Sequence, residues 1–132
     1  MEKVFVYGTL KYKHSNNYLL RQSTMLGVGL TTQKFALYED GIPYVSKSSK
    51  VSKILGEVWL VNKTTLNNLD LLEGHPNWYK REEVNIEYIN MNSKRVMEKV
   101  WLYFNKNIPS RAKLNKTGSY ENKNSKNKEW VF

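Results

Sequence analysis

Apolar residues in this chain come in short, dense runs rather than at a steady helical spacing. Lys3–Tyr7 (KVFVY) predicts a strand that stops at Gly8-Thr9, where glycine tolerates backbone geometry closed to β-branched residues. Ile54–Val61 (ILGEVWLV) is apolar at nearly every position, with Glu57 its lone charge, and predicts a second clear strand. Val84–Ile89 (VNIEYI) alternates, and Val96–Phe104 (VMEKVWLYF) is rich in β-formers, so two more follow. Met25–Tyr38 is irregularly apolar and predicts one long or bent strand. The turn signal Asp40-Gly41-Ile42-Pro43 then leads into a short apolar piece, Tyr44-Val45.

One stretch changes period. In Thr64–Glu73, Leu66, Leu69 and Leu72 share a helical face, Asn62 or Thr64 can cap the start, and Gly74 followed by Pro76 ends it. Asn16–Arg21 predicts a shorter helix with Ser15 or Asn16 as its cap. About six strands with these helices define an α+β fold: a small mixed β-barrel with flanking short helices.

Composition sharpens this picture in three ways. At 132 residues, 40% hydrophobic and 25% charged, the chain suits one domain able to bury a core without staples. The absence of cysteine excludes disulfides, a thiolate nucleophile and every cysteine-ligated metal site. The N-terminus MEKVFVYGTL lacks the apolar run of a signal peptide, and no stretch approaches the roughly 18 apolar residues of a membrane span. A cytoplasmic protein with no membrane partner is the expectation.

The net charge of +9 raises the question of nucleic acid. Its location answers against it. Residues 105–132 hold seven basic and two acidic residues, +5 of the total, and no zinc-finger spacing or aromatic RNA-binding signature accompanies them. The chain therefore divides into a domain over 1–104 and a basic, polar segment over 105–132, read as coil or as a tail docked loosely on that domain. Trp130-Val131-Phe132 could pin its end.

The inventory for chemistry is thin. The two histidines, His14 and His75, read as exposed loop residues, and no nucleophile elbow, P-loop or dinucleotide fingerprint is present. Two features remain. Tyr7-Gly8-Thr9-Leu10 follows a strand directly, and such a loop can aim main-chain N–H groups at an anion or oxyanion, although a plain turn reads the same way. Glu73 closes an amphipathic helix, facing the negative end of the helix dipole; that makes it either a solvated accident or a carboxyl with a raised pKa. Glu57 competes with it, and otherwise reads as an outward-facing strand residue. Arg81 or Lys80 could pair with an acidic substrate, or be solvated strand residues.

Taken together, VFVYGTLKYKHSNNYLL, GIPYV and GEVWLVNKTTLNNLDLLEGHPNWYKREEV resemble the γ-glutamylcyclotransferase superfamily, and within it the γ-glutamylamine cyclotransferases. The resemblance spans residues 4–104, with a fainter echo at Ser119-Tyr120-Glu121. It implies a small β-barrel with a cavity beside the Y-G-T-L loop. It also implies conversion of a γ-glutamyl amide to 5-oxoproline plus free amine, without cofactor or metal. Glu73 falls where the family keeps its catalytic carboxylate; Tyr7, Gly8, Thr9 and Leu10 fall where it keeps its substrate-binding loop. One departure is visible: Lys13 stands where members of the family often carry glycine. The implied partner is a small γ-glutamyl substrate. Tyr44, Trp78, Tyr79 and Tyr120 are candidates for the pocket wall that selects the leaving amine. A non-catalytic small-ligand module on the same fold, and a basic interaction protein, stay open as alternatives.

Overall fold

The computed structural model describes residues 1–8, 10–12 and 14–120. In chain order, β1 is Glu2–Val6, followed by a 3-10 turn at Asn17–Leu20, β2 (Thr24–Glu39), β3 (Pro43–Ser46) and β4 (Ser52–Val61). After these come α1 (Lys63–Glu73), β5 (Lys80–Ile89), β6 (Arg95–Phe104) and β7 (Lys113–Asn115).

Five strands close into a barrel in the order β2-β4-β1-β6-β5, with β5 returning to β2 and β3 and β7 added outside on β2. Every pairing is antiparallel except β1 with β6, where Val4 lies opposite Trp101. The long, bent strand expected at Met25–Tyr38 is β2. Register shifts between Met25 and Gly27 and between Leu30 and Lys34 bend it, so its first half closes the barrel and its second half carries β3 and β7. Closure brings β2 hard against β5: a Cβ at Gly29 would stand 2.2 Å from the Glu87 carbonyl oxygen.

The nearly unbroken apolar runs follow from burial on both strand faces. On β1, Phe5 points with Ile54, Val58, Val100 and Leu102 into the barrel, while Val4 and Val6 join Trp59, Val61, Leu66 and Leu69 in a second core beneath α1. Helix α1 starts where Asn62 Oδ1 accepts from the Thr65 N–H at 2.8 Å, and stops at Gly74, which is left-handed at φ 64°.

Beyond Phe104 the chain runs back over the domain. β7 pairs with Leu37–Glu39, and Tyr120 enters the barrel core. Thr9, Lys13, Glu121 and Trp130-Val131-Phe132 lie outside the described residues. Among the described residues no helix is long and apolar enough to cross a membrane.

Candidate active site

The C-terminal end of α1 points one carboxyl into a cavity of about 170 Å³. Phe5, Val6 and Tyr103 line it from β1 and β6, Tyr7, Gly8 and Leu10 form a wall from the segment after β1, and Ile42 and Pro43 form another at the start of β3. Leu72 and the exposed Trp78 flank Glu73, and Tyr79 and Asn16 complete the lining. The two walls touch where Gly8 packs on Pro43; a Cβ there would come within 2.5 Å of Pro43 Cγ, so this position accepts nothing larger than glycine unless the wall moves.

Glu73 is held by the backbone that follows it. The N–H groups of Asn77 and Trp78 donate to the Gly74 carbonyl at 2.9 and 2.8 Å, and the Tyr79 N–H returns to the Glu73 carbonyl at 3.0 Å. Its side chain, by contrast, has no hydrogen bond or ion pair among the described residues. The nearby phenols donate elsewhere: Tyr7 to the Tyr103 carbonyl and Tyr79 to the Pro43 carbonyl, each at 2.7 Å. Although the residue keeps some access to solvent through the cavity, its carboxyl is packed about as a buried group is. Loss of hydration pushes its pKa up to about 7. Burial, with the Glu73 charge contributing, raises the pKa of Tyr7, Tyr79 and Tyr103, so all three stay neutral.

The other expected residues divide sharply. Tyr7, Gly8 and Leu10 join Glu73 in the cavity, while Thr9 lies outside the described residues. Arg81 is neither at the cavity nor loose in solvent. Its Nε and Nη2 reach the two Asp70 oxygens at 2.8 and 3.2 Å, and its guanidinium lies 4.3 Å from the Trp101 ring centre. Lys80 is exposed. Trp78 and Tyr79 line the cavity, Tyr44 stacks behind Tyr79 at 5.9 Å, and Tyr120 sits in the core instead.

Three readings of single residues are corrected. Glu57 does point out of the barrel, as strand parity requires, but the segment after Leu10 covers it and leaves it fully buried. Its Oε1 accepts from the Tyr12 N–H at 2.8 Å and Trp59 Nε1 at 3.0 Å; desolvation still raises its pKa against those bonds and the Lys11 charge. His14 is not exposed. It is buried at 6% exposure, and desolvation together with Lys11 lowers its pKa to about 4. His75 is half-buried, its Nδ1 accepting from the Arg81 N–H at 3.2 Å.

Sequence reasoning missed Tyr103 and the supporting group Asp70, Arg81 and Tyr103, in which the Tyr103 hydroxyl donates to Asp70 at 2.7 Å. The available signal was an acid one turn before Glu73 with an arginine just beyond the following turn.

A barrel closed around a parallel β1–β6 pair, with a helix-end carboxyl and a strand-end glycine lining one cavity, defines a class of small cavity-bearing domain. The sequence profile of the family described as "Gamma-glutamyl cyclotransferase, AIG2-like" matches residues 4–130, and the chain belongs to that family. A Methanocaldococcus jannaschii protein named "Putative gamma-glutamylcyclotransferase" is 44% identical over 105 residues, 79% of this chain and 84% of its own. The gamma-glutamylaminecyclotransferase of Rattus norvegicus is 34% identical over 98 residues, 67% of this chain and 66% of its own. The crystal structure of an AIG2-like protein from Mus musculus superposes with a TM-score of 0.81 at 25% identity, covering 92% of this chain and 88% of that one.

Proposed function

We propose that the protein closes γ-glutamyl amides to 5-oxoproline, releasing the amine, with Glu73 as general acid and base. The observation that carries this reading is the Glu73 carboxyl, without a partner among the described residues and with its pKa pushed up to about 7, inside the cavity lined by Tyr7, Gly8 and Leu10.

The chemistry asks little of the protein beyond what such a site offers. The substrate's α-nitrogen attacks its own γ-carbonyl carbon, a C–N bond forms as the ring closes, and the old amide C–N bond breaks. Holding the chain folded for that attack can supply an effective molarity of about 10⁵ M or more. The α-ammonium must first lose a proton, and the leaving nitrogen must gain one; a carboxyl titrating near working pH can do both, contributing about 10²-fold or more. Main-chain N–H groups of the Gly8–Leu10 loop are the candidate donors to the tetrahedral oxyanion, one such donor being worth roughly 3 kcal/mol. The half of the substrate common to all γ-glutamyl amides would engage these groups.

The test is 5-oxoproline release over a panel of γ-glutamyl amides, with Glu73→Gln alongside. Turnover that vanishes in the folded variant supports the reading. A variant that retains near-normal rates defeats the assigned role, and binding without turnover by the parent protein points to a ligand-binding module instead.

A further inference from the structure

The cavity's two walls are carried by separate loops, and one residue outside the cavity is bonded to both. Tyr120 is 5% exposed in the barrel core. Its main-chain carbonyl accepts from Lys11 Nζ at 2.7 Å, and its hydroxyl donates to the Gly41 carbonyl at 3.2 Å. Lys11 directly follows Leu10 of one wall; Gly41 directly precedes Ile42 and Pro43 of the other. Lys11 is itself fully buried. An ammonium out of water is unfavourable unless hydrogen-bonded, and the Tyr120 carbonyl is one of the groups that meet it, beside the charge of Glu57.

Tyr120 also stands on a firm base. The Leu55 N–H donates to the Gly118 carbonyl at 2.9 Å, fastening the segment to β4. Asn115 Oδ1 accepts from the Thr117 and Gly118 N–H groups at 2.8 and 3.2 Å, and its Nδ2 donates to the Ser119 carbonyl at 2.8 Å. Asn115 Nδ2 also donates to Glu39 at 2.8 Å, and β7 pairs with Leu37–Glu39. The base of Tyr120 is thus fastened both to β4 and to the strand end that leads into Gly41, while on the Lys11 side the Tyr120 carbonyl reaches the other loop.

We infer that Tyr120 is a positioning residue: a strut between Lys11 and Gly41 that sets the spacing of the cavity walls and makes the segment after β6 part of the substrate site. The consequence for catalysis rests on the reaction proposed above; the strut itself does not. Tyr120→Phe removes the bond to Gly41; Lys11→Met removes the bond to the Tyr120 carbonyl together with the positive charge that faces Glu57 and His14.

The decisive measurements are steady-state kinetics on a γ-glutamyl amide and residue-resolved amide exchange, on the parent chain, both single variants and the double variant. A strut broken at either end is broken, so each single change is expected to raise KM several-fold and the double change to add little more. The pH dependence of kcat should keep its inflection near 7, because Tyr120 does not touch Glu73. Either single change should also speed exchange on both walls, at the Lys11 and His14 amides on one side and the Asp40 amide on the other, all hydrogen-bonded in the intact protein. Additive effects, or exchange that changes only on the wall whose own bond was cut, overturn the strut. If the parent chain releases no 5-oxoproline from any amide, the reaction falls, and the exchange pattern still decides the strut.

Discussion

Asp70 and Glu73 lie one turn apart on α1, and their environments drive them in opposite directions. At Asp70 desolvation alone would raise the pKa, but the Arg81 and Tyr103 hydrogen bonds and the charges of Arg81 and His75 overcome it and hold the group below its ordinary value. At Glu73 only the desolvation operates, and the pKa climbs to about 7. Glu57 shows the intermediate case, fully buried yet given two N–H donors. Burial by itself therefore does not single out the carboxyl we propose as acid and base. What marks it is burial with the donors withheld, and here the donors are visibly spent elsewhere: Arg81 on Asp70, Tyr7 and Tyr79 on main-chain carbonyls.

Removing the withheld group is expected to have the largest effect. Glu73→Gln should lower kcat for 5-oxoproline release by about 10²-fold or more, since it deletes the proton carrier while keeping the side-chain volume. The same change should stabilise the fold at alkaline pH. Glu73 has a folded pKa above its unfolded one, so its favourable contribution is complete below about 4.5 and is lost as pH rises through about 7. The loss is at most about 3 kcal/mol. Melting temperatures of the two proteins should match at pH 4 and separate at pH 8, with the variant higher; equal values at pH 8 would contradict the raised pKa.

Asp70→Asn attacks the contrast from the other side. It should cost roughly 2 kcal/mol above pH 5, because a half-buried guanidinium loses its carboxylate partner. The sign for Asp70 is opposite to that for Glu73: its stabilisation is present above its unfolded pKa and disappears as pH falls through its lowered folded value. The guanidinium released from Asp70 would also favour ionised Glu73, moving the acidic limb of the kcat/KM profile to lower pH. A profile that stays in place would show that Arg81 is held by Trp101 regardless.

Glu57 supplies the smallest expected effects. Glu57→Gln keeps an acceptor for Tyr12 and Trp59 and should change stability by about 1 kcal/mol or less, whereas Glu57→Leu removes the oxygen that both N–H groups donate to and should cost roughly 2–4 kcal/mol. Denaturant titration separates the two. If both cost the same, the buried charge rather than the acceptor is what the covering segment needs.

Much of the frame was legible because the sequence carries local signals for it. The runs KVFVY and ILGEVWLV, apolar on both faces, require cover on both faces, and Asn62 with Gly74 delimits α1. Glu73 could be placed at a helix end for the same reason. What was not legible depends on which segment lies over which. Strand parity turned Glu57 outward correctly, but only the fold shows that the segment beyond Leu10 closes over it and buries His14 with it. Arg81 looked available until Asp70 and Trp101 were brought to either side of it. Tyr120 belongs to a segment whose composition is polar, and its burial depends on a strand of three residues pairing with β2.

The parallel contact of β1 with β6 has a consequence for how the protein comes into being. Val4 finds Trp101 only after nearly the whole described chain has been made, so the barrel cannot close during early synthesis. Until then β1 can pair with β4, but its other edge is open, and Tyr7 and Gly8 face no complete cavity. Contacts this distant impose a large loop-closure cost before any return, which slows folding and leaves an unpaired strand edge exposed to other chains. Cavity and closure therefore arrive together, late, since Tyr103 of the last long strand is part of the lining that encloses Glu73.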